Sequence, residues 1–133
     1  VAIGPGRVRP PQHPTAPVYP GAGVGELAEL VLTALADQPR HGYGITQEVA
    51  ALSGSRVALL PGTLYTALDR LSAQGLVEAD REEITDGRLR RYYRLTSDGL
   101  AVLGAETKRL RVLANVAERK LRAVRPATRP RPA

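Results

Sequence analysis

The chain has 133 residues, enough for one domain, and lacks Cys, Met, Phe and Trp, so its core must be Leu, Val, Ala and Ile with a few Tyr. Without cysteine there are no disulfides, and with only His13 and His41 as histidine ligands a zinc site is not expected; no metal and no cofactor is assigned. The net charge is +6, yet residues 24 to 124 carry 14 basic against 13 acidic side chains, which argues against a generally sticky polycation and for local arginine clusters on a near-neutral body.

Residues 1–23 hold six of the eleven prolines, several glycines and almost no periodicity, and are expected to form a disordered arm. From Val24 the pattern changes. Leu27, Leu30, Val31, Ala34 and Leu35 recur at helical spacing and predict a first helix ending near Asp37, before Pro39. A turn, QPRHGYG, leads to a second helix with Ile45, Val49 and Leu52 on one face, closed by Ser53-Gly54-Ser55. In that turn His41 is expected to hydrogen-bond the backbone, and Tyr43 to pack against the first helix, with a phosphate contact as its alternative.

Pro61 to Gln74 forms the third predicted helix, with proline at its first position, where a missing N–H costs nothing. Leu64, Leu68 and Leu71 point inward and Gly75 ends it. Two strands follow, Leu76 to Ile84 and Leu89 to Thr96, joined by Asp86-Gly87, a strong hairpin signal. Thr96 then caps a long last helix running to about Val124, where Arg125-Pro126 opens a basic tail, residues 125–133, expected to be disordered.

Three helices, an arginine-tipped hairpin and a long helix make a mainly α fold with a small β-hairpin. The layout of residues 24–96 is that of a winged helix-turn-helix DNA-binding domain, in which the third helix enters a major groove and the wing reaches backbone or minor groove. Thr63, Thr66 and Arg70 lie opposite the buried stripe of the third helix, where short hydroxyls and one arginine suit phosphate contacts and limited base reading. Arg70 could equally be a solvated charge or the partner of a nearby acid. On the hairpin, Arg88 and Arg90 are the best wing contacts, with Arg91 close behind; alternation assigns Tyr93 and Leu95 to the core.

Residues 97–124 form the expected dimerisation helix. Leu100, Leu103, Thr107, Leu110, Ala114, Ala117, Leu121 and Val124 step three and four residues throughout, a heptad seam for a second helix. No enzyme is expected. Glu82 and Glu83, adjacent on a strand, face opposite sides, and no phosphate loop or nucleophile-base pair is present. No apolar run approaches the roughly 18 residues of a membrane span and there is no signal-peptide core, so a cytoplasmic protein without membrane contact is expected.

The sequence resembles the PadR family of bacterial transcriptional regulators. The likeness rests on His41-Gly42-Tyr43, Gly62-Thr63-Leu64-Tyr65 with Ala67-Leu68 and Leu71, Gly75-Leu76-Val77, Arg91-Tyr92-Tyr93-Arg94-Leu95-Thr96 and Gly99. It spans about Gly25 to Leu121 and points to the short branch with a single C-terminal helix. The resemblance implies a homodimeric repressor that binds an inverted-repeat operator in duplex DNA, with Tyr65 donating its hydroxyl to a phosphate. An unidentified small-molecule effector would fit the same pattern. Two features depart from it: Leu60 stands where a small polar cap is common, and there is no Trp of the kind that drug-sensing members use to sandwich planar ligands. The alternative is a protein-interaction module that uses the winged fold without binding DNA.

Overall fold

A computed structural model describes residues 25–128; the expected N-terminal arm and the tail beyond residue 128 lie outside them. The elements are α1 (Glu26–Ala34), β1 (Arg40–His41), α2 (Gly42–Leu52), α3 (Pro61–Ala73), β2 (Val77–Thr85), β3 (Arg88–Leu95) and α4 (Ser97–Thr128). The three strands form an antiparallel sheet in the order β1-β3-β2. Among the described residues no helix is long and apolar enough to cross a membrane.

The core follows from the helical spacing. Val31, Leu32, Ala34 and Leu35 of α1 meet Ile45 and Val49 of α2 and Leu64, Leu68 and Leu71 of α3, with Leu76 and Val77 closing the cluster. Each shorter helix buries one stripe and leaves the other side to solvent. With no aromatic bulk at the centre, close packing depends on the leucines, and truncating Leu64 or Leu68 to alanine should cost about 2–5 kcal/mol. Tyr93 and Leu95 pack against this cluster from β3, as strand alternation predicts.

Four expectations need correction. Helix α1 stops at Ala34 rather than near Asp37, because the Arg40 side chain donates from Nε to the Ala34 carbonyl at 2.7 Å and the chain turns there. The stretch read as a simple turn contains β1, whose Arg40 and His41 pair with Tyr93 and Tyr92. Leu52 and Tyr43, expected to be packed, are 43% and 62% exposed. Helix α4 continues past Val124 through Arg125 and Pro126 to Thr128, so the proline stands within the described helix, where it forfeits one backbone donor.

The hairpin turns on Asp86 and Gly87, both at positive φ (52° and 74°), as a two-residue turn with right-handed strand twist requires. A bulge interrupts the ladder between Ala79 and Glu82. The extra residue keeps Glu82 and Ile84 on the same face as Ala79, so the outer hairpin stays in phase with its base.

Thr96 joins the hairpin to α4. Its hydroxyl donates to the Gly75 carbonyl at 2.6 Å and accepts from the Gly99 N–H at 2.9 Å, so it ties down the exit of α3 and caps α4 together. Gly99 is buried against this junction, and a Cβ there would lie 2.1 Å from the Leu76 carbonyl oxygen. Further along, Val102 and Leu103 pack on the core, and the buried Glu106 is held by Arg109, which also reaches Glu29 of α1 at 3.8 Å.

Candidate nucleic-acid interface

Helix α3 starts without a side-chain cap: Leu60 stands at the N-cap and Pro61 follows at the first helical position. At about 100° per residue, Gly62, Thr66 and Asp69 lie opposite the Leu64-Leu68-Leu71 stripe, with Thr63 and Tyr65 on the two flanks. Those flanks open into different grooves.

On one side, Thr63, Thr66 and Arg70 line a groove of about 560 Å³ with Leu27 of α1 and Leu60. Arg70 has no carboxylate partner among the described residues, so its charge stays available. On the other side a groove of about 380 Å³ lies between the start of α3, the start of α2 and the wing, and is lined by His41, Tyr43, Tyr65, Leu89, Arg90 and Arg91 among others. Of the expected residues, Thr63, Thr66 and Arg70 therefore line one groove, Tyr65, Arg90 and Arg91 line the other, and Arg88 lines neither.

Tyr65 is half exposed, and its hydroxyl lies over Gly42, the first residue of α2; a Cβ at Gly42 would come 2.4 Å from that oxygen. Glycine at position 42 is thus what lets the tyrosine hydroxyl reach the N-terminus of α2. The sequence motif contains both residues, but nothing in their spacing says that they touch.

His41 caps α2, its Nδ1 accepting from the Gly44 N–H at 3.1 Å, which is the backbone-bonding role expected for it. An accepting Nδ1 requires the neutral ring with the proton on Nε2. Burial and the neighbouring Arg90 guanidinium both hold the His41 pKa below the usual histidine range, in favour of that form. The His41 ring also meets Tyr92 edge-on at 5.2 Å, while Arg81 lies 4.0 Å over the Tyr92 ring from the other strand.

The arginines of the hairpin differ by position. Arg94, at the base, binds Glu78 and Asp80 at 2.8 and 2.9 Å. Arg81 binds Asp80 and Glu83 at 2.8 and 2.7 Å, and Arg91 contacts Glu82 at 3.4 Å. Arg90 is half-buried: its Nη1 lies 3.4 Å from His41 Nδ1, and its Nε is enclosed without a hydrogen-bond partner. Its side chain points back toward α2 rather than outward, because β1 brings His41 alongside β3. Arg88, next to the turn, is exposed and has no carboxylate partner among the described residues. The expected wing set therefore divides into Arg88 at the tip, without a carboxylate partner among the described residues, a half-buried Arg90 on the groove wall, and a paired Arg91 one residue further toward the base.

Comparison with known proteins agrees with this architecture. The Transcriptional regulator PadR-like family profile matches residues 31–105, more than half of the chain. A transcriptional regulator of Mycobacterium tuberculosis is 43% identical over 84 residues, covering 63% of this chain and 75% of that protein. Among solved structures, a PadR family transcription regulator from Clostridium difficile superposes with a TM-score of 0.62 at 26% identity, covering 73% of this chain and 99% of the other. Bacillus subtilis PadR, solved in complex with operator DNA, shares the fold at a TM-score of 0.54 and 23% identity, over 62% of this chain and 46% of that one. The family consists of regulators rather than enzymes, and the match takes in α2, α3, the whole hairpin and the start of α4. The chain belongs to the PadR-like family of transcriptional regulators.

Proposed function

We propose that the chain is a homodimeric repressor of the bacterial cytoplasm that binds an inverted-repeat operator. The observation that carries this reading is the groove shared by α3, α2 and the wing, on a wing whose turn carries Arg88, a cation without a carboxylate partner among the described residues. Helix α3 would enter the major groove, presenting Thr63 and Thr66 from its N-terminal half and Arg70 from its last turn. Tyr65, lying over the N-terminus of α2, would donate to a phosphate where the helix dipole already favours an anion. Two α4 helices packed along the heptad seam would set two such heads on neighbouring half-sites about one helical turn apart.

The test is salt-dependent binding of the full chain to duplex DNA. Arg88→Ala should weaken binding to every duplex and reduce the log–log salt slope by roughly 0.9, the contribution of one phosphate contact. An unchanged slope in the folded variant would remove the wing tip from the interface.

A further inference from the structure

Phosphate contacts leave one feature of the wing unused. Ile84 and Leu89 are Cα partners across the hairpin, and they are 76% and 66% exposed. Side chains opposite one another in an antiparallel pair share a face. Here it is the face that carries Ala79 and Tyr93 at the base and the Glu82–Arg91 ion pair between. Near the base that face is covered by the core; toward the tip the ribbon overhangs the head, and no described residue covers the last pair. Leu89 opens into the groove that Tyr65 and Pro61 of α3 line from the other side.

We propose that Ile84 and Leu89 form an apolar edge of the wing that seats against the sugars of a DNA minor groove, beside the phosphate held by Arg88. The proposal rests on the reading that this groove faces DNA. Continuity selects the occupant: along the ribbon the apolar pair is next to Arg88, which has no carboxylate partner among the described residues, and Leu89 shares its groove with the start of α3. A minor groove offers that sequence of surfaces, anionic rims around walls of deoxyribose, and apolar side chains are a recurrent means of engaging it. The apolar face of a second copy would leave the Arg88 charge without a counterpart.

Cation and apolar pair should be separable by ionic strength. Neutralising a phosphate releases counterions, whereas an apolar contact with sugar releases none. The experiment uses the full chain and a duplex that the wild type enriches from a random-sequence pool, titrated by fluorescence anisotropy across a salt series. The double variant Ile84→Thr/Leu89→Thr keeps residues suited to strands while replacing apolar surface with hydroxyl. Its affinity should fall about tenfold at every salt concentration with the slope unchanged, the size expected for partial burial of two aliphatic side chains. Hydroxyl-radical protection of the sugars under the wing should disappear while protection around α3 persists. Ile84→Val/Leu89→Val should restore most of the binding, and a thermal melt confirms that both variants fold.

Wild-type affinity in the threonine variant overturns the proposal, as does a loss confined to the salt slope. A threonine variant that keeps its affinity but no longer sediments as wild type would assign the pair to a contact between copies, also against the proposal. A wild-type chain that enriches no duplex overturns the DNA reading itself, and the apolar edge with it.

Discussion

The head, residues 26 to 95, and helix α4 treat apolar surface in opposite ways. In the head the large aliphatic residues of α1, α3 and the strand bases are mostly gathered into one core, with Leu32, Ile45, Leu64 and Leu68 nearly inaccessible. Helix α4 packs on that core near its start, through Gly99, Val102 and Leu103; beyond Arg109 most of its described aliphatic residues stand in solvent, from Leu110 at 41% exposed to Leu121 at 64%, and Val116 is half-buried. At about 1.5 Å per residue this 32-residue helix is roughly 48 Å long, far more than the head can cover. The head closes its own core, while α4 leaves most of its apolar stripe exposed, the surface that the proposed dimer would cover. Stability and assembly should therefore respond to different substitutions.

The largest expected effect is on assembly. Leu110 lies mid-seam between Thr107 and Ala114, and Leu110→Glu would bury a carboxylate in the proposed dimer at a cost of several kcal/mol unless the helices separate. The variant should sediment as a monomer and lose operator binding, since one half-site supplies too few contacts. The head should still melt cooperatively, because no core residue depends on Leu110. A variant that stays dimeric and binds DNA normally would erase the contrast between the two regions. Leu103 is a weaker probe despite sharing the heptad, because it is already half-buried against its own chain's core.

Next is the junction where the two regions meet. Gly99→Ala would push a methyl group into the Leu76 carbonyl, a backbone atom that cannot swing aside. Overpacking of this kind costs about 1–3 kcal/mol, and the upper end is expected here. Thermal melting should show the head itself destabilised, since Leu76 belongs to the core and its carbonyl also accepts from Thr96 N–H. A melting temperature equal to wild type would mean that α4 shifts freely on the head.

These contrasts were unevenly legible in the sequence. The helical stripes, the Pro61 start, the Asp86-Gly87 turn and the Thr96 cap are local signals, and the structure has each of them. What escaped was set by contacts between distant residues. Strand β1 exists only because β3 lies beside it, and Arg90 turns inward only because β1 brings His41 there. The seat of Tyr65 on Gly42 joins two helices. Periodicity likewise counts every arginine on the hairpin alike, although among the described residues three are tied to carboxylates and Arg88 is not. The heptad is a property of spacing alone, but its division into a core-packed start and an open remainder depends on where α1 ends.

A smaller effect should appear at the contact between α1 and α4 as pH changes. The Glu29 carboxyl is pushed up to about 7, first by burial, then by its hydrogen bond to Glu106 and their mutual repulsion, while Arg109 pulls the other way. Glu26, the other acid facing it, is engaged by Arg56. The folded state therefore holds this proton more tightly than the unfolded chain does. Its stabilising contribution is complete below about 4.5, the ordinary value, and is lost as pH rises through about 7. Glu29→Gln keeps the shape and removes the ionisation. After allowance for the partial exposure of Glu29, it should raise stability at alkaline pH by on the order of 1–2 kcal/mol and flatten the slope. Parallel pH profiles for variant and wild type, measured by urea denaturation, would show that α4 rests on the head without a shared proton.

The smallest expected effect tests whether surface groups of the head serve its fold or a ligand. Tyr65→Phe deletes one oxygen and keeps the ring. That oxygen lies over Gly42 at the N-terminus of α2, on the half-exposed edge of α3, and no hydrogen bond among the described residues uses it as donor. Removing it should therefore leave the melting temperature almost unchanged. If a DNA phosphate accepts that proton, affinity should fall by roughly 1 kcal/mol, about fivefold, at every operator half-site. The loss should also be independent of which bases are present, since a phosphate carries no sequence. A sharp fall in melting temperature with affinity intact would make Tyr65 a packing residue. The groove between α2, α3 and the wing would then belong to the head's own fold rather than to the surface that DNA completes.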